Sequence, residues 1–130
     1  MGRHDQHSAR ALSELGACLD AIDETAMTEL VEILATARRI CLYGCGREGL
    51  MMRALCMRLY HLGLDVHMVA DMTTPPVGQG DLLLVSAGPG YLSTAEALLG
   101  VARRDGAKTA CFTAEPGSQV TRSSDFTFVI

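Results

Sequence analysis

The sequence predicts a single α/β domain, built on a parallel β-sheet with helices on both faces. Five short apolar runs alternate with helical stretches, which is the order that a doubly wound sheet requires. The runs are almost continuously apolar, and strands of that kind are covered on both faces. A chain of 130 residues can bury one real core and leaves little room for a second.

The composition is that of a globular protein, with 48% hydrophobic and 20% charged residues. Charged residues interrupt every apolar run short of the roughly 18 residues that a membrane-spanning helix needs, and the N-terminus has no apolar signal core. We therefore expect a cytoplasmic protein with no membrane partner. The net charge of −4 arises within residues 1–30, which predicts an acidic solvated helix face and no nucleic-acid surface.

The cysteines are scattered through apolar segments at positions with no zinc-like spacing: Cys18, Cys41, Cys45, Cys56 and Cys111. An odd number of isolated cysteines is typical of buried free thiols in a reducing compartment. We therefore expect no disulfide framework, no metal and no cofactor.

Residues 1–38 predict a helical hairpin that packs on the main domain. Residues 8–20 have apolar side chains at helical spacing, and the stripe continues into the turn: Leu12, Leu15, Leu19 and Ile22. Asp23 is a good N-cap for a second helix, which runs to about residue 37. The apolar face of that second helix consists of Leu30, Ile33 and Leu34.

Residues 39–130 form the main domain. Its strands are predicted at 39–44, 65–71, 81–87, 107–114 and 125–130. Helices at about 47–62 and 93–104 connect two pairs of these strands, and irregular segments connect the others. No helix follows the last strand, so we expect either a partner chain to cover it or further residues beyond position 130. The hairpin and this uncovered strand favour a homodimer or homotetramer.

The loop after the first strand is rich in glycine. In YGCGREG, Gly44, Gly46 and Gly49 fit the dinucleotide-binding fingerprint, and Asp71 ends the second strand, where an acid can bind a ribose. The fingerprint alone is weak, because a strand-to-helix turn needs glycines without any ligand. A second nucleotide-binding half is also missing, so we favour another ligand.

A longer series of motifs carries a family resemblance. YGCGREGL, MRLYHLGLDVHMV, DMTTPP, GDLLLVSAGPG and GAKTACFTAEPGS follow one another along the chain. In this order and at these spacings they resemble the motifs of the sugar isomerase (SIS) domain, most closely those of the 6-phospho-3-hexuloisomerases. The resemblance implies a three-layer SIS-type domain with a five-stranded parallel sheet flanked by helices.

The resemblance also implies a function. It suggests an aldose–ketose isomerase that binds a carbohydrate derivative and works through an enediol, with His61 as the catalytic histidine. The residues that it implies for ligand binding lie on the loops and helix starts of these motifs: Gly44, Cys45, Gly46, Arg47, Glu48, Thr73, Thr74, Ala87, Gly88, Gly90 and Ser93. The family's catalytic carboxylate lies in a segment that these 130 residues lack. A non-catalytic carbohydrate-binding or regulatory module is the alternative.

The departures from the family motifs cluster where SIS domains hold a phosphate. Glu48, Ala87 and Pro89 stand where the family has serines, and Leu92 stands where it has a threonine or serine. Each change removes a hydrogen-bond donor, and Glu48 adds a negative charge. The resemblance therefore implies an altered phosphate pocket, in which hexulose 6-phosphates are poor ligands.

The start of the helix at 93–104 supports the same view. Ser93 and Glu96 have the spacing of a capping box, in which each side chain bonds the backbone amide of the other. Such a helix satisfies its own N-terminus, so its amides and its dipole are not available to an anion.

Simpler roles remain open for several of these residues. His61 can bond the carbonyls at its own helix C-terminus. Arg47 can pair on the surface with Glu48 or Asp71, which we slightly favour over contact with a ligand or a neighbouring subunit. The TTPP string can be a rigid turn that positions the third strand.

Overall fold

The computed structural model describes residues 2–130 and has five helices and five strands within them. In chain order they are α1 (Arg3–Asp20), α2 (Glu24–Thr36), β1 (Ile40–Tyr43), α3 (Gly46–His61), β2 (Val66–Met68), β3 (Leu82–Ser86), α4 (Ser93–Arg104), β4 (Lys108–Thr113), α5 (Gln119–Arg122) and β5 (Phe126–Val129). All five strands were predicted. None of these helices is both long and apolar enough to cross a membrane.

The strands form one parallel sheet in the order β2-β1-β3-β4-β5. The predicted doubly wound α/β fold is therefore confirmed. The chain builds outward from β1 to β2, then returns to place β3 on the other side of β1. This reversal opens a crevice between the carboxyl ends of β1 and β3, which is where open α/β sheets bind their ligands.

The two faces of the sheet bury separate apolar clusters. Leu82 and Leu84 of β3 lie in the cluster that includes Ile33 of α2 and Met52 of α3. The intervening residues Leu83 and Val85 lie in the opposite cluster, under α4 and α5. Side chains alternate between faces along a strand, so β3 contributes to both halves of the core.

The N-terminal helices differ in how much they bury. The Asp23 carboxylate accepts the amide of Ala26, as expected of an N-cap, and Ile33 is buried against the sheet. By contrast, α1 has no buried residue, and Leu12, Leu15 and Leu19 are 70%, 61% and 68% exposed. The predicted apolar side chains of α1 lie on a helix as expected, but within residues 2–130 no other part of this single chain buries them.

Two helices differ from the predictions, and β2 covers only Val66–Met68 of the predicted 65–71. α1 begins at Arg3 and not at residue 8, with the carboxylate of Asp5 accepting the amide of Gly2 at 3.2 Å. The one-turn helix α5 was missed, because it lies between turn-forming residues and is too short to show a periodic pattern. Its Val120 is fully buried and its amide bonds Gly90 O at 3.1 Å, so α5 supports the loop after β3.

An ion pair secures the start of β3, at the amino edge of the sheet. The buried carboxylate of Asp81 accepts Arg38 Nε at 2.9 Å, Arg38 Nη2 at 3.0 Å and the amide of Gly78 at 2.9 Å. Burial acts to raise the pKa of Asp81, but these hydrogen bonds and the charges of Arg38 and Arg39 outweigh it and lower that pKa. This contact lies at the edge opposite the crevice, so its role is structural.

We expect Asp81→Asn to lower the free energy of unfolding by about 1.5–3 kcal/mol at pH 7, because a buried, charged acceptor of three hydrogen bonds is lost. The folded-state pKa is lowered, so the carboxylate stabilises the fold above its unfolded pKa of about 3.9, and this contribution disappears as the pH falls through the folded pKa. Urea unfolding should show the difference from wild type shrinking below about pH 5. Asp20→Asn, at an exposed position, is the control. If Asp81→Asn lowered the free energy of unfolding by the same amount at every pH, the ionised Asp81 carboxylate would not be the stabilising group.

Candidate functional site

Two loops face each other across the crevice at the carboxyl edge of the sheet. The first, residues 44–45, joins β1 to α3, and the second, residues 87–92, joins β3 to α4. β1 and β3 are paired neighbours, so the loops that follow them meet at the point where the strand order reverses.

The glycines of the first loop are required by the turn itself. A Cβ atom on Gly49 would lie 2.6 Å from Gly44 O, and one on Gly44 would lie 2.9 Å from Gly49 N. Gly46 has a φ of +57°, in the left-handed region that favours glycine. The dinucleotide-like spacing is thus explained by close packing of α3 on β1, without any nucleotide.

Glu48 links the start of α3 to the end of β3 and the second loop. It lies in the first turn of α3, yet its Oε1 accepts the amide of Gly88 at 2.8 Å and the hydroxyl of Ser86 at 3.1 Å. A Cβ atom on Gly88 would lie 2.6 Å from Glu48 Oε1, so a larger residue there would displace the carboxylate from this position. The carboxylate therefore bonds the opposite loop and does not cap its own helix.

Between residues 87 and 90 of the second loop, every backbone amide that has a hydrogen donates it to a partner within the chain. The amide of Ala87 bonds Phe112 O and that of Gly90 bonds Ala87 O, each at 2.9 Å. Pro89 has no amide hydrogen, and the amide of Gly88 bonds Glu48. This part of the loop offers no free backbone donor to a ligand.

The expected capping box at the start of α4 is wrong. The N-cap is Leu92 and not Ser93, and Glu96 Oε2 accepts the hydroxyl of Ser123 at 2.7 Å. A tertiary contact with the end of α5 thus replaces the local one. The first three helical amides, those of Ser93, Thr94 and Ala95, make no hydrogen bond within residues 2–130. The N-terminus of α4 is therefore open, contrary to the expectation.

Ala87 does not lie at the ligand face. It is fully buried in the cluster under α4 and α5, on the same face as Leu83 and Val85. The preceding residue, Ser86, instead faces α3 and donates its hydroxyl to Glu48. The alternation of side chains along β3 contained this signal, since Leu82, Leu84 and Ser86 share the face on which α3 packs.

Arg47 is exposed beside the crevice and makes no ion pair within the described residues. The expected surface pairs are wrong, because Glu48 bonds the opposite loop and Asp71 lies 3.5 Å from Arg53. The guanidinium group of Arg47 is thus available to a ligand or to another chain.

The two threonines of the TTPP string differ. The hydroxyl of Thr74 donates to Met68 O and its amide bonds Asp71 O at 3.1 Å, so Thr74 holds the turn after β2. Thr73 is exposed, and its hydroxyl makes no hydrogen bond in the part of the chain that the structure describes. Of these two threonines, only Thr73 has a hydroxyl free to bind a ligand.

His61 lies far from the crevice within one chain. It is the last residue of α3 and is exposed, with its ring 6.1 Å from that of Tyr60. The glycine loop lies at the other end of the same helix, about 22 Å away at a rise of 1.5 Å per residue. A single chain does not bring His61 to Glu48 and the second loop.

The cysteines are less uniformly buried than expected. Cys41 and Cys111 are buried, but Cys18 and Cys45 are exposed. Burial is the main cause that raises the pKa of Cys41 to about 11, so that thiol stays protonated at neutral pH. Among residues 2–130, no group of three or more His, Cys, Asp or Glu side chains is placed to hold a metal ion.

Comparison with known proteins gives the family. The SIS domain model matches residues 33–130. The chain belongs to the SIS domain family. The match includes both loops of the crevice, so the resemblance predicted from the motifs is confirmed at the level of the family.

Individual SIS proteins show the same relationship. The 3-hexulose-6-phosphate isomerase of Mycobacterium gastri is 37% identical over 109 residues, which is 84% of this chain and 55% of that protein. A Methanococcus jannaschii structure from which 3-hexulose-6-phosphate isomerase function was inferred has a TM-score of 0.77 at 27% identity, over 82% of this chain and 59% of that one. Vibrio vulnificus NanR complexed with ManNAc-6P has a TM-score of 0.81 at 26% identity, over 99% and 51%. This SIS domain resembles sugar-phosphate isomerases and spans little more than half of these relatives.

The glycine packing at the crevice can be tested with a pair of helical substitutions. We expect Gly49→Ala to lower the free energy of unfolding by about 1–3 kcal/mol, because its methyl group would overlap Gly44 O. Gly100→Ala, in α4 with nothing within 4 Å of the added atom, should instead stabilise by about 0.5–1 kcal/mol. Denaturant unfolding measures both, and equal effects of the two substitutions would show that α3 and β1 are not in close contact.

Proposed function

We propose that this SIS domain, residues 39–130 with the hairpin of residues 1–38, belongs to a cytoplasmic aldose–ketose isomerase that binds a sugar derivative at the crevice. The single observation that carries the proposal is the set of free donors around the crevice. Arg47 lies in the first turn of α3, the open N-terminus of α4 follows the second loop, and Thr73 lies in the segment after β2, so all three follow the carboxyl ends of neighbouring strands. Backbone amides at a helix N-terminus and a guanidinium group suit the electronegative oxygens of a sugar.

The chemistry of such a reaction needs two kinds of group. A base must remove a proton from the carbon beside the carbonyl, and donors must stabilise the enediolate oxygens as their charge develops. Arg47 and the amides of Ser93 and Thr94 are suited to the second role, since none of them has a partner within residues 2–130.

His61 takes the acid–base role in this proposal, from a neighbouring copy of the chain. Its distance from the crevice of its own chain excludes a direct part there, while its exposure leaves it free to enter the crevice of another chain. Exposed apolar side chains accompany it along α3, among them Leu50 and Met57, at 62% and 50% exposure. A homodimer or homotetramer that covers this face would complete each site with a partner's histidine.

A second candidate is a module that binds a carbohydrate derivative without turning it over. The separation of His61 from the crevice in one chain favours it, because the histidine base of the proposed enzyme then lies outside the crevice. Vibrio vulnificus NanR, which shares the fold over almost the whole chain, has been seen complexed with ManNAc-6P. This candidate predicts binding without interconversion.

Mixing two variants of the full-length protein tests the proposal. His61→Ala should lower turnover by about 10²–10⁴-fold, and Arg47→Ala should weaken it through lost enediolate binding. Random exchange of subunits between the two variants should restore about a quarter of wild-type activity, because half of the dimers then contain one intact site. NMR detection of interconversion over neutral sugars, amino sugars and sugar phosphates is the assay, and Arg104→Ala, at the far end of α4, is the control. Inactive variants whose mixture stays inactive would reject the shared site, and binding without turnover in the wild type would favour the second candidate.

A further inference from the structure

We infer that Glu48 is a specificity residue of the crevice: its carboxylate occupies the inner donors, so that the site takes a sugar derivative with a hydroxyl or ammonium group there and discriminates against phosphate esters. The inference rests on the proposed function, because it names the class of ligand for that same site. Three properties of the crevice support it, and they concern its donors, its charge and its space.

The first property is the shortage of donors. A phosphate ester needs several N–H or O–H groups directed at one point. In the second loop, Ala87 and Gly90 bond carbonyl groups of the chain, Pro89 has no amide hydrogen, and Gly88 bonds Glu48. The hydroxyl of Ser86 also goes to Glu48. The carboxylate thus accepts both of the donors that the end of β3 and this part of the second loop could offer, and the donors left to a ligand are Arg47 and the first amides of α4.

The second property is charge. Two hydrogen bonds hold the carboxylate of Glu48 in place, and one of its donors, Ser86, is only 7% exposed. Repulsion between like charges increases where water is partly excluded, so an incoming phosphate dianion meets an unfavourable field at this point. The exposed side chain of Arg47 is the neighbouring cation, and it offsets only one charge.

The third property is space. Glu48 Oε1 lies so close to Gly88 that a methyl group there would be 2.6 Å from it. Oε1 already occupies the hydrogen-bonding position in front of the Gly88 amide and the Ser86 hydroxyl, so a phosphate oxygen cannot take that position while the carboxylate stays in place. A phosphate can bind the inner donors only if Glu48 leaves, and that movement gives up both hydrogen bonds.

The same carboxylate suits a different ligand. Oε1 takes both of the bonds described, and Oε2 makes no hydrogen bond within residues 2–130. A carboxylate oxygen accepts from hydroxyl and ammonium groups, and the acceptance is stronger when the donor is charged. The free Oε2 therefore favours the hydroxyl of a neutral sugar or the ammonium group of an amino sugar.

Two substitutions of Glu48 distinguish the effect of its negative charge from the effect of the space that its side chain fills. Glu48→Gln keeps the size of the side chain and removes its charge, whereas Glu48→Ser also empties the space beside Gly88. We expect the affinity for fructose 6-phosphate and for inorganic phosphate to rise from wild type through Glu48→Gln to Glu48→Ser, by at least about tenfold in total. The affinity for glucosamine should fall in both variants. Glu32→Gln, on an exposed part of α2, removes the same charge away from the crevice and should change neither.

Isothermal titration of the full-length proteins gives these affinities, and circular dichroism melting shows that each variant is folded. If Glu48→Ser melts too low for titration, stabilisation of Glu48→Gln by phosphate gives the same comparison. Equal phosphate affinity in wild type and both variants, with carbohydrate binding that Arg47→Ala weakens, would overturn the role of Glu48 and leave the proposed function standing. Failure of every form to bind any of these carbohydrates would overturn both.

Discussion

The crevice of this SIS domain depends on one interaction, the acceptance by Glu48 of the Gly88 amide and the Ser86 hydroxyl. The contact joins the first turn of α3 to the end of β3 and the loop after it, at the point where the strand order reverses. It also explains two features of the chain that look unrelated, a carboxylate in the first turn of α3 and a glycine at position 88. An internal carboxylate thus occupies the place where doubly wound folds commonly receive their ligands.

The amino and carboxyl edges of the sheet differ in how fully their polar groups are hydrogen-bonded within the chain. At the amino edge, Arg38 and Asp81 form a hydrogen-bonded ion pair, and both carboxylate oxygens of the buried Asp81 accept hydrogen bonds from the chain. At the carboxyl edge, Arg47 and the first amides of α4 have no partner among residues 2–130. Unsatisfied groups at one edge and satisfied groups at the other are expected when the first edge binds a ligand and the second supports the fold.

Much of the fold follows from local patterns in the sequence. The five apolar runs, the glycine turn at 44–49 and the Asp23 cap depend on neighbouring residues, so short-range reasoning finds them. The errors arose where a distant residue intervened. Glu96 has the spacing of a capping box, but its carboxylate accepts instead from the hydroxyl of Ser123, directly after α5. α5 itself is one turn long and shows no period.

The site was predicted less completely for the same reason. The resemblance drew attention to Glu48 and Gly88, yet it also suggested Ala87, which the strand alternation turns into the core. Ser86 was overlooked because its partner lies 38 positions away along the chain. The position of His61 within an assembly depends on other chains, and no local pattern contains that information.

A crystal structure of the full-length protein, grown in phosphate buffer without a sugar, tests the central claim most directly. The account predicts that Glu48 Oε1 still lies within hydrogen-bonding distance of the Gly88 amide and the Ser86 hydroxyl, with no phosphate on these donors. A phosphate ion bound to the Gly88 amide, with the Glu48 side chain turned toward solvent, would contradict it.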